Sequence, residues 1–128
     1  MKIVDRKTFM QMPKGTVFCK FPRFDEGDHS SSKLAFAVQE PMILDGTTES
    51  DFYYIEPGFM TPVDGKSCTE DDNILMDMEA NLGKEYPFEA FSSRDGMYEG
   101  DEVGFAIYSR SEVEEMICLL QKALKEGY

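Results

Sequence analysis

Four short apolar runs punctuated by proline and glycine constrain this chain more than any other feature. They occupy residues 16–21, 34–39, 52–56 and 103–108, and none exceeds six residues. Alternation with a period of two marks a strand, because successive side chains of an extended backbone point to opposite faces. In the first run Val17, Cys19 and Phe21 share one face and Phe18 takes the other. Leu34, Phe36 and Val38 alternate with Ala35 and Ala37, and Val103, Phe105 and Ile107 alternate with Gly104 and Ala106. Both of these runs are apolar on two faces, the pattern of a strand covered on both sides. Phe52–Glu56 is rich in aromatics and ends at Pro57-Gly58. Pro41 and Asp45-Gly46 are expected as turns around a short Met42–Leu44 piece, and Pro87 and Asp95-Gly96 as bounds of an irregular stretch.

Helical periodicity appears in two places. From Thr69 to about Leu82 the first turn holds Glu70, Asp71 and Asp72, which the helix dipole favours there. Ile74, Leu75, Met78 and Leu82 make the stripe, and Gly83 the expected C-cap. At the C-terminus Val113, Met116, Ile117, Leu120 and Leu124 recur at helical spacing, and Ser111 with Glu114 fits a capping box. A shorter helix is expected over Arg6–Met12, capped by Asp5 and stopped by Pro13. Separate strands and helices of this kind predict an α+β fold. The expectation is one domain over residues 1–128: an antiparallel or mixed sheet of about four to five strands, with a capped C-terminal helix and one further helix packed on it. Two two-faced strands and only two substantial helices leave apolar surface over, which predicts a homo-oligomer.

With 128 residues and 41% hydrophobic composition the chain can bury a core unaided. No apolar run approaches the roughly 20 residues that span a bilayer, and Met1–Met12 has scattered charges and no signal-peptide pattern. Cys19, Cys68 and Cys118 are far apart and odd in number, against a disulfide framework or zinc site and for a reducing, cytoplasmic setting. Cys19 and Cys118 read as core or near it, and Cys68 as the exposed thiol. The net charge of −12 is uneven. Residues 1–33 carry seven Lys/Arg against four Asp/Glu, and residues 34–128 six against 21. Such a field repels nucleic acid and attracts basic partners.

Candidate chemistry is sparse. Asp25, Glu26, Asp28 and His29 fit neither the calcium-loop nor the zinc spacing, and read as a solvated turn on Gly27. Ser30–Ser32 beside His29 form no nucleophile motif. No catalytic residue, metal or cofactor is assigned, and the expectation leans away from an enzyme. Phe21, Arg23 and Phe24 at a strand exit, with Arg94 and Tyr98 at a second turn, offer rings for stacking and guanidinium groups for a phosphate. These five are the candidate ligand-binding residues. Glu70, Asp71, Asp72, Asp77, Glu79, Glu99, Asp101 and Glu102 form acidic stretches, the composition of a DNA mimic and also of an ordinary acidic surface.

The segments KIVDRKTFMQMPKGTVFCK, residues 2–20, and GFAIYSRSEVEEMICLLQKAL, residues 104–124, resemble small accessory proteins of tailed bacteriophages and prophages. The first reads as a strand and short helix leading into a strand, the second as a strand feeding a capped terminal helix. The resemblance covers roughly a third of the chain and carries no functional residues across. It implies a life in the bacterial host cytoplasm and a counter-defence role, by binding a defence protein or sequestering its small nucleotide signal. An enzyme degrading a phosphorylated metabolite, and an acidic DNA mimic or structural accessory, are the alternative readings.

Overall fold

The computed structural model describes residues 1–22, 40–57, 68–86, 90, 92–96 and 103–128. The elements run β1 (Lys2–Val4), α1 (Arg6–Phe9), β2 (Val17–Pro22), β3 (Met42–Thr47), β4 (Phe52–Ile55), α2 (Cys68–Ala80), β5 (Ser92–Arg94), β6 (Val103–Ile107) and α3 (Arg110–Gly127). Among the described residues six strands form one sheet in the order β1-β6-β2-β3-β4-β5, and every pairing between them is antiparallel. The α+β class holds, with six strands where four to five were expected. β1 and β5 both fall outside the expected apolar runs; the Ser-Ser-Arg sequence of β5 has no apolar alternation because it is an exposed edge. The run at 34–39 lies outside the described residues. The run at 103–108 is an interior strand, with Phe105 and Ala106 buried on opposite faces.

The core is aromatic. Phe9, Phe18 and Phe52 are completely buried, and Phe105 nearly so. Phe9 stacks on Phe105 with centroids 3.9 Å apart and meets Phe18 at 4.7 Å and Phe52 at 4.9 Å. Phe9 reaches them from α1, which Asp5 caps by accepting from the Thr8 amide at 2.8 Å. Val4, Met42 and Leu44 complete the cluster. On β2 the core side is therefore that of Phe18; Val17 and Phe21, on the opposite face, are half-buried, while Cys19 there is buried as expected. The sheet curls around this cluster. β4 and β6 are three places apart, roughly 14 Å in a flat sheet, yet the Phe52 and Phe105 rings lie 5.7 Å apart.

Asp45-Gly46 is not a turn. The register of β3 against β4 shifts between Leu44 and Gly46, and Gly46 takes φ +141°, a value open to glycine. The bulge lets the strand continue to Thr47. The chain reverses after it, where the Thr48 hydroxyl accepts from the Asp51 amide at 3.0 Å and the Thr48 amide donates to the Asp51 carbonyl at 2.7 Å.

The C-terminal helix also starts earlier than Ser111 implies. Ser109 is the N-cap, accepting from the Glu112 amide at 3.3 Å, while Glu112 accepts from the Ser109 amide at 2.6 Å. Both serines satisfy the motif. Tyr108 decides between them, because its amide still donates to the Val17 carbonyl, and the chain leaves the sheet directly after it. Neither α2 nor α3 buries a residue, so the helix that fills the core is the short α1. Cys118 on α3 is correspondingly exposed, contrary to its expected place near the core. Among the described residues no helix is long and apolar enough to cross a membrane.

Candidate functional site

Five charged side chains meet where the curled sheet, α1 and the β5 edge converge. Asp51, just before β4, is fully buried. Its carboxylate accepts from the Arg94 Nε at 2.5 Å, the Phe52 amide at 2.9 Å and the Gly96 amide at 3.2 Å. Arg6 of α1, with 8% of its side chain exposed, lies 3.8 Å from Asp51 and 3.6 Å from Asp95, and sits 5.5 Å from the Phe52 ring centroid. Asp95 also takes the Lys20 ammonium at 2.7 Å. Among the described residues three cations face two carboxylates there.

Burial alone pushes the Asp51 pKa upward. The Arg94 guanidinium and the amides of Phe52 and Gly96 outweigh it and hold the carboxyl below its usual value. Arg94 is shifted upward, first by its hydrogen bond to Asp51. The pair is therefore charged on both sides at neutral pH. Its first task is mechanical: Asp51 and Asp95 tie the edge strand β5 to α1 and β2.

Of the five ligand residues expected from sequence, Phe21 and Arg94 lie among the described residues. Phe21 lies on β2 and Arg94 on β5, with β3 and β4 between them. Phe21 points to the face of β2 opposite Lys20, and Lys20 rather than Phe21 reaches the cluster. Arg94 keeps 63% of its side chain exposed although its Nε is committed to Asp51. Arg23, Phe24 and Tyr98, and the loop holding Asp25 to His29, lie outside the described residues. Sequence reasoning missed Arg6, Lys20, Asp51 and Asp95. Their one linear signal is an acid next to an aromatic strand and another before a glycine, which is also the signal of any turn. Among the described residues no group of three His, Cys, Asp or Glu side chains could hold a metal ion.

The other exposed features are helical. α2 carries Glu70, Asp71, Asp72, Asp77 and Glu79 with no Lys or Arg within it, and exposes Leu75 and Met76. Lys84 and Tyr86, beyond its end, both donate to Asp77 at 2.9 Å. α3 exposes Ile117, Leu120 and Leu124. At its first turns Val113 lines an open groove of about 510 Å³ with Met12, Val17, Ile107 and Tyr108. Comparison with family models, curated proteins and solved structures gives no match for this chain.

Proposed function

We propose that this chain is a non-catalytic, phage-type binding protein that antagonises a host defence system by docking a basic surface of a host protein on α2. The observation that carries this reading is the condition of α2. It buries no residue, holds five acids and no base, and sets Leu75 and Met76 among them in water. Acids steer a basic partner toward the helix, and desolvated apolar side chains supply affinity. Arg94 supports a second reading. Its guanidinium is mostly exposed, and an anionic nucleotide signal could share it with Asp51. The commitment of its Nε to a buried carboxylate makes this the weaker of the two, since a ligand must compete with a bond already made.

The test is phage plating on bacteria that each carry one defence system and express either this chain or its Asp72→Asn/Leu75→Ala/Glu79→Gln variant. The expected result is protection of the phage against at least one system by the parent chain and its loss in the variant, with unchanged thermal stability. Protection retained by the variant overturns docking through α2. Loss of protection by Arg94→Ala alone, with a nucleotide released on denaturing the parent protein, supports the nucleotide reading in its place.

A further inference from the structure

The helix α3 projects from the body with its apolar stripe unpaired. Glu112, Val113 and Met116 are half-buried, but from Ile117 onward every residue is exposed. Ile117 is 49% exposed, Leu120 69% and Leu124 63%. Isolated helices shorter than about 12–15 residues are marginal in water, so a projecting apolar segment of this length calls for a partner.

We propose that the partner is a second copy of this chain, and that two α3 helices pack antiparallel about a two-fold axis. Three observations select this occupant. The seam Val113, Ile117, Leu120, Leu124 has spacings of four, three and four, the repeat of paired helices, and those spacings read the same in reverse. An antiparallel pair can therefore set Val113 opposite Leu124 and Ile117 opposite Leu120 twice over. Charge follows the same direction. Glu112, Glu114 and Glu115 outnumber Arg110 in the first half of α3, and Lys122 and Lys125 outnumber Glu126 in the second. Antiparallel packing places acids beside lysines and opposes the two helix dipoles, whereas parallel packing sets like charges together. Glu114 and Lys125 are eleven residues apart, about three turns, so they share one flank of the seam. That flank meets itself in the antiparallel pair, with Glu114 near Lys125 of the second copy. Finally, α3 has three bases against four acids, while the chain as a whole is at −12. Two such chains can approach along it with little repulsion.

The groove continues the same seam. Val113 is one of its walls, and the register brings Leu124 of the second copy to the groove mouth, against Met12, Val17 and Ile107. The interface thus extends from helix–helix contact into the body. This inference is independent of docking through α2.

Sedimentation equilibrium from about 1 to 100 µM tests it, a range in which interfaces of modest size associate. The full chain should sediment at twice its monomer mass of 14.6 kDa. Leu120→Glu should weaken association by about a hundredfold or more, and Leu120→Ala, which keeps helix propensity, should weaken it less. Glu114→Lys and Lys125→Glu should each weaken it about two- to fivefold, and the double variant should recover the parent value. A parent chain that stays monomeric at 100 µM overturns the proposal. So does a dimer indifferent to Leu120→Glu, and single charge reversals without effect overturn the antiparallel arrangement.

Discussion

Replacing Asp51 by Asn keeps the side-chain volume and removes only the charge and one acceptor. The parent carboxylate accepts three hydrogen bonds, one from the Arg94 guanidinium and two from backbone amides. Asn turns one of those acceptors into a donor facing a donor. A hydrogen bond to a charged group is worth about 1.5–3 kcal/mol. Breaking one side of a fully buried ion pair costs about 3–5 kcal/mol, but Arg94 is 63% exposed and regains water, which discounts its share. Arg6 is less fully compensated: it is nearly buried and would keep Asp95, at 3.6 Å, and the Ser50 carbonyl, to which it donates at 3.3 Å. The expected cost is about 2–4 kcal/mol, which for a domain of this size lowers Tm by roughly 8–16 °C. Arg94→Ala should cost less, because Asp51 keeps its two amides and Arg6. Urea unfolding followed by circular dichroism measures both. The pH dependence has a definite sign. The folded pKa of Asp51 lies below its usual 3.8, so its contribution is present above that value and is lost as pH falls through the depressed one. The gap between parent and Asp51→Asn should persist down to about pH 4 and close below it. A cost under about 1 kcal/mol at pH 7 would refute the view that this cluster holds β5 to the body.

Phe9→Ala removes the ring on which Phe105 stacks and that touches Phe18 and Phe52, and should cost about 3–5 kcal/mol in urea unfolding; a loss below about 1.5 kcal/mol would mean that α1 is not the core filler. Glu112, held by the Met1 ammonium and by the Ser109 amide and hydroxyl, should titrate at about 2 rather than its usual 4.5 in a carbon-13 carboxyl titration. Its contribution to stability is present above that usual value and lost as pH falls through about 2; a midpoint near 4.5 would show the cap to be open. Under native conditions a thiol reagent should modify Cys68 and Cys118 rapidly and Cys19 only after unfolding, as mass spectrometry of the labelled peptides would show.

The strands and helices that carry a strong period were legible in the linear sequence. β2, β4, β6, α2 and α3 follow from alternation, helical spacing and capping residues, because these signals act between near neighbours. β5 was not legible, since an edge strand of two serines and an arginine gains its order from backbone pairing with β4 and from Arg94 on Asp51. Nor was the bulge at Gly46, because the dipeptide that makes a turn also makes a bulge and the partner strand chooses. Of the expected ligand residues, Phe21 and Arg94 carry the right chemistry on strands that do not adjoin. The charged cluster draws Arg6, Lys20, Asp51, Arg94 and Asp95 from four separate stretches of chain, a convergence that needs the curl of the sheet. Sequence determined the local elements, the acidic charge and the amphipathic stripe of α3. Only the tertiary structure decided that α1 fills the core while α2 leaves Leu75 and Met76, and α3 Ile117, Leu120 and Leu124, in water, because burial depends on which surfaces the curled sheet can reach, and one turn of helix bearing Phe9 already closes it.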